Sequence, residues 1–101
     1  MHLVQILLPL YDNGGAALPR AAFQAVRVEL TERFGGLTAY TRAPAEGVWA
    51  DAGATTRDDI VVYEVMTPTL DRDWWRDYRT ALERRFRQQA IVVRATTTTL
   101  L

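Results

Sequence analysis

Ile60-Val61-Val62-Tyr63-Glu64-Val65-Met66-Thr67 reads as a β-strand, rich in β-branched and aromatic residues and broken by one carboxylate. The chain then passes Pro68 to Asp71, a good N-cap. From there Trp75, Tyr78, Leu82 and Phe86 recur at helical spacing, and Ala90 to Thr96 returns to a strand pattern. This is one β-α-β unit. Asp71, Asp73 and Asp77 lie early in its helix, and Arg84, Arg85 and Arg87 lie late, an order that complements the helix dipole. The three late arginines read as a solvated helix end. The tail Thr96 to Thr99 has strand propensity but too little apolar content to specify a place.

Upstream lies a second unit of the same kind. His2 to Leu10 alternates at period two, with Val4, Ile6, Leu8 and Leu10 on one face and Leu3, Gln5, Leu7 and Pro9 on the other. Asn13-Gly14-Gly15 is a turn, with neither the spacing nor the lysine of a phosphate loop. Pro19 suits the first turn of a helix whose apolar stripe is Phe23, Val26, Leu30 and Phe34, and Gly35-Gly36 ends it. Leu37 to Arg42 is the next strand. The long connection from Ala43 to Asp59 predicts a hairpin insertion, with Gly47 to Ala50 pairing with Ala54 to Arg57.

The order β-α-β-β-α-β predicts an α+β, ferredoxin-like domain spanning residues 1–101. Its four-stranded antiparallel sheet carries both helices on one face. Right-handed crossovers give the strand order 4-1-3-2, with strands one and three central and expected to run parallel.

Such a fold leaves one sheet face without helices. Parity assigns to it Leu3, Gln5 and Leu7; Val62, Glu64 and Met66; Val92, Arg94 and Thr96; and Thr38, Tyr40 and Arg42. A solvated face reads mostly polar, yet this one is largely apolar over roughly 330 Å², taking strands about 4.8 Å apart and ~17 Å long. An apolar patch of that size marks an interaction surface, and a two-fold homodimer is the commonest way to cover it. Its polar minority, Arg94, Gln5, Glu64 and Tyr40, comes from successive strands at similar heights. Burying Glu64 alone would cost several kcal/mol, so it needs Arg94, Gln5 or a ligand nearby. Two readings follow. In one, an ion pair and hydrogen bonds set the register of a filled, non-catalytic dimerisation or assembly interface. In the other, the face lines a small-molecule cavity, with Glu64 as the candidate catalytic acid or base. Arg94 is then the anion holder, Gln5 and Tyr40 are ligand-binding residues, and Trp49 in the insertion is a lid.

The element order, the size and the apolar sheet face with a polar centre resemble the dimeric α/β-barrel superfamily of ferredoxin-like folds, over nearly the whole chain. That resemblance implies two sheets facing each other around a cavity. The superfamily includes cofactor-independent monooxygenases, muconolactone isomerase-like and chlorite dismutase-like proteins, and small bacterial proteins of unassigned function. No catalytic signature matches residue by residue. His2, the sole histidine, sits at the extreme N-terminus, away from the histidine-dependent and haem-binding branches.

Composition narrows the chemistry. The 101 residues are 49% hydrophobic and 24% charged, and twelve basic residues balance twelve acidic ones. No net field draws the chain to nucleic acid or a membrane, and a sheet offering only Tyr40 for stacking is not an RNA platform. There is no cysteine, serine or lysine. That excludes disulfides, thiolate metal sites, serine triads, Schiff bases and a P-loop lysine. Asp51, Asp58 and Asp59 have no histidine partner and read as a solvated strand entry, so no metal or other cofactor is expected. Trp74 and Trp75 read as one core tryptophan and a neighbour bordering it. Every basic residue is arginine and alanine is abundant, which reads as GC-rich codon usage and a bacterial, cytoplasmic protein; arginine chosen for forked anion contacts is the alternative. No secretion signal or membrane span is evident.

Overall fold

The computed structural model describes residues 1–42 and 60–101. The expected insertion hairpin, Trp49 and the carboxylates Asp51, Asp58 and Asp59 lie outside the described residues. The elements run β1 (His2–Pro9), α1 (Arg20–Phe34), β2 (Thr38–Arg42), β3 (Ile60–Thr67), α2 (Arg72–Arg85) and β4 (Val92–Thr97). Their strands form one sheet ordered β2-β3-β1-β4, the expected arrangement read from its other edge.

One expectation is corrected: β1 and β3 run antiparallel, with His2 opposite Thr67 and Pro9 opposite Ile60. The crossover rule makes the two ends of each β-α-β unit parallel, and those ends are not neighbours here. β2 and β3 pair antiparallel, so β3 runs against β1. β4 is likewise antiparallel to β1.

Alternation divides the central strands, except that Val62 of β3 is buried on the open side. Val4, Ile6 and Leu8 of β1 are buried, as are Val61, Tyr63 and Val65 of β3, and they share one core with Val26 and Leu30 of α1 and Trp75 and Leu82 of α2. Phe86 and Ile91 close that core beyond α2. Phe23 meets Phe86 edge-on at 4.9 Å between ring centroids, and Phe34 stacks on Trp75 at 5.2 Å. Trp75 is thus the core tryptophan. Trp74 borders it, stacked on Tyr78 at 4.8 Å and covered by the Arg33 guanidinium at 4.1 Å.

Local chemistry sets the helix ends. Pro19 stands at the N-cap of α1, just before the first turn, with no side-chain cap. Gly35 ends that helix at φ 79°, donating its N–H to Thr31 O at 2.8 Å. Asp71 Oδ1 caps α2 by accepting the Trp74 N–H at 3.1 Å. At the end of α2, Arg84 and Arg87 are exposed as expected, and Arg85 departs from the solvated-arginine reading. Arg87 takes the left-handed conformation at φ 53°, while Arg87 N–H donates to Arg84 O and Gln88 N–H to Glu83 O. That is a Schellman motif with arginine where glycine is usual. Arg85 is half-buried and forks onto Glu29 of α1, with Nη1 to Oε1 at 2.8 Å and Nη2 to Oε2 at 3.0 Å. The Tyr78 hydroxyl donates to the same Oε1 at 2.8 Å, so one carboxylate ties the two helices together across the layer. Glu29 is held below the ordinary carboxylate range, first by Arg85.

The threonine tail has a definite start. β4 continues to Thr97 opposite His2, and Thr98 N–H donates to Met1 O. Among the described residues no helix is long and apolar enough to cross a membrane.

Leu82 is fully buried, so Leu82→Ala should cost about 2–5 kcal/mol in urea denaturation, while Phe34→Ala at a half-buried site should cost no more than about 3 kcal/mol. Arg87→Gly should raise stability by about 0.5–1 kcal/mol, because glycine adopts the left-handed region without the Cβ clash.

Candidate functional site

The side of the sheet away from the helices carries the polar row. Register places Arg94, Gln5 and Glu64 directly opposite one another on β4, β1 and β3. The fourth place in that row belongs to Thr38, and Tyr40 stands one step along, opposite Val62. A tyrosine is long enough to reach back along the diagonal. The Tyr40 hydroxyl donates to Glu64 Oε1 at 2.7 Å. Gln5 Nε2 donates to the same oxygen at 2.6 Å and approaches the Tyr40 hydroxyl at 3.4 Å. Arg94 Nε donates to Gln5 Oε1 at 2.8 Å.

The arrangement is directional. A carboxamide accepts through oxygen and donates through nitrogen. Arg94 takes the oxygen of Gln5 and so turns its nitrogen toward Glu64. The ion pair that the sequence allows between Glu64 and Arg94 is therefore replaced by a relay through the amide. Oε1 of Glu64 receives two donors; among the described residues no donor reaches Oε2.

These bonds set the charge of the site. The Tyr40 hydroxyl, and after it the Gln5 amide, hold Glu64 below the ordinary carboxylate range, against a smaller opposing effect of burial. At neutral pH the group is an anion. It can hold a cation or accept a proton, and it does not donate one.

Apolar surface surrounds the row. Leu3 and Leu7 of β1 are half-buried, while Met66 and Val92 are 48% and 52% exposed. Val62 is buried although it lies on this face, and it stands apart from the helix-side core. Where α1 gives way to β2, an open cleft of about 320 Å³ reaches Glu64, with Leu3, Met66, Thr38 and the Gly35-Gly36 turn along its walls. Sequence reasoning did not find this cleft, because its wall is made by the end of α1, which parity on the strands does not place. Among the described residues no cluster of three metal-ligating side chains occurs. Asp12 accepts the N–H groups of Gly14 and Ala16 at 2.9 Å each, so Asn13-Gly14-Gly15 is a turn closed on itself.

No protein family and no curated protein matches the chain. Among solved structures it is similar to a phage SAM lyase in complex with S-methyl-5′-thioadenosine. The TM-score is 0.55 and the identity 13%, over 94% of this chain and 79% of that one. At that identity the likeness is one of fold: an α+β sheet-and-helix architecture shared over most of both chains.

Carbon-detected titration of Glu64 should give a pKa below that of a free glutamate. Tyr40→Phe should raise it, since the tyrosine hydroxyl is the larger cause. The sign for stability follows. A depressed carboxylate contributes stabilisation that is present above its unfolded pKa and lost as pH falls through its folded value. The difference in stability between wild type and Tyr40→Phe should therefore shrink as pH falls through the folded pKa of Glu64, as read by denaturant midpoints at stepped pH.

Proposed function

We propose that this protein is a homodimer of the dimeric α/β-barrel type and binds a small molecule against its open sheet face, with ionised Glu64 as the charged anchor. The observation that carries this reading is an anionic carboxylate on an apolar face. One of its oxygens is occupied by Tyr40 and Gln5, the other lacks a donor among the described residues, and a cleft of about 320 Å³ lies beside it. A second copy laid on the same face would exclude water and strengthen the field of Glu64. The complementary ligand carries a cationic centre next to an apolar body. The phage lyase of similar fold holds a thioether nucleoside, which makes S-adenosylmethionine, a sulfonium, and its neutral relative S-methyl-5′-thioadenosine the first probes. In this reading Gln5 and Tyr40 orient the carboxylate, and Arg94 fixes the amide through Nε with its two terminal nitrogens turned to no protein partner among the described residues.

A second reading has its own support. Arg94, Gln5, Glu64 and Tyr40 are linked by hydrogen bonds within one copy, as a register device in a filled assembly interface would be.

Sedimentation and calorimetry separate the two. The wild type should sediment as a dimer, and Leu7→Arg, which puts a charge in the apolar face, as a monomer. Glu64→Gln should keep the dimer while weakening S-adenosylmethionine at least tenfold and S-methyl-5′-thioadenosine much less. A wild type that is monomeric at every concentration refutes the dimer, and equal affinity of wild type and Glu64→Gln refutes the anchor. A dimer weakened by Glu64→Gln and by Arg94→Ala, non-additively and without uptake of either probe, assigns the row to assembly.

A further inference from the structure

On the helix side of the sheet, α2 packs against β4, an edge strand of the sheet. Between them is a cleft of about 250 Å³ with Trp75, Val93 and the strand residue Arg94 in its lining and three helical arginines around it, Arg72, Arg76 and Arg79; the Arg94 side chain is bonded to Gln5 on the other face. Among the described residues no carboxylate lines it. The three helical arginines stand at i, i+4 and i+7, so they share one stripe of α2. Like charges at that spacing repel and weaken a helix. The chain as a whole is neutral, so this stripe is a local segregation of charge. Asp73 meets Arg76 at 3.5 Å, an exposed contact between neighbouring turns. Among the described residues no side-chain hydrogen bond or ion pair engages the guanidinium of Arg72 or Arg79. Arg85 and Arg33, by contrast, are engaged: Arg85 forks onto Glu29, and Arg33 lies near Asp71 and over Trp74.

We propose that this cleft is an oxyanion site for a small phosphate-bearing molecule, whose charged group is held by Arg72, Arg76 and Arg79 and whose short apolar part rests toward Trp75 and Val93. Guanidinium forks match phosphate oxygens two at a time, and several of them converging on one group favour a multiply charged ligand over a single carboxylate. The volume lies a little below the roughly 300–1,000 Å³ of drug-sized ligand pockets, which suits a phosphate with a small substituent better than a whole nucleotide. The site lies on the helix side of the sheet and does not depend on the reading of Glu64.

Inorganic pyrophosphate is the probe, followed through the arginine Nε–H resonances of the full chain at constant ionic strength. Saturable shifts are expected at Arg72, Arg76 and Arg79. Arg72→Gln with Arg79→Gln should weaken binding at least tenfold, and Arg79→Gln alone at least threefold, with no loss of thermal stability, because both side chains are exposed and their removal relieves like-charge repulsion. Arg20→Gln with Arg27→Gln, on the exposed surface of α1, should leave the affinity as it was. Shifts that do not saturate, shifts of equal size at Arg20 and Arg27, or unchanged affinity in the Arg72/Arg79 variant would overturn the site. Succinate binding as tightly as pyrophosphate would overturn its assignment to phosphate.

Discussion

The structure depends on the antiparallel pairing of β1 with both β3 and β4. That strand has Val4, Ile6 and Leu8 sealed against the helices on one side and Leu3, Gln5 and Leu7 on the other. Slipping either neighbour by one residue would turn every side chain of that neighbour to the wrong face. The register that buries Val61, Tyr63 and Val65 is the same one that sets Glu64 beside Gln5 and Gln5 beside Arg94. The core and the polar row are therefore a single solution. A glutamine suits the middle position because its amide can accept from a guanidinium and donate to a carboxylate at once.

Much of this is legible in the alternation. Parity alone separates the core face of each strand from the open face, and the two amphipathic helices fix which face is covered. The row of Arg94, Gln5 and Glu64 follows from parity and strand order together. The direction of β3 against β1 does not follow from the crossover rule, which speaks of strands that are not neighbours here. Nor does the place of Tyr40: the register of β2 puts Thr38 in the row, and only the length of the tyrosine ring and hydroxyl brings it to Glu64. Glu29 and Arg85 are far apart in sequence, so their fork depends on how α1 and α2 lie side by side, which no local pattern encodes. Arg87 gives no sign of a left-handed conformation, because the residue type that usually announces one is absent there. Trp49 and the insertion hairpin lie outside the described residues.

Charge is distributed to opposite sides of one thin layer. The net charge is zero, yet the open face centres on an anion held below its ordinary pKa, and the cleft against α2 is ringed by arginines. Arg94 belongs to both neighbourhoods, with Nε bonded to Gln5 on one side and its residue lining the edge cleft on the other. Averaged over the chain these charges cancel, so the net charge of zero does not show the local segregation. The likeness to a phage lyase at 13% identity is one of fold, and a fold does not by itself carry a function.

The most direct test of the account is a crystal structure of the protein in its solution assembly, inspected on the open sheet face. The account predicts a second copy across Leu3, Leu7, Met66 and Val92, enclosing an unfilled volume beside Glu64 Oε2. A sheet face left open to solvent in the assembly, or one packed so that protein side chains fill the space at Glu64, would contradict it.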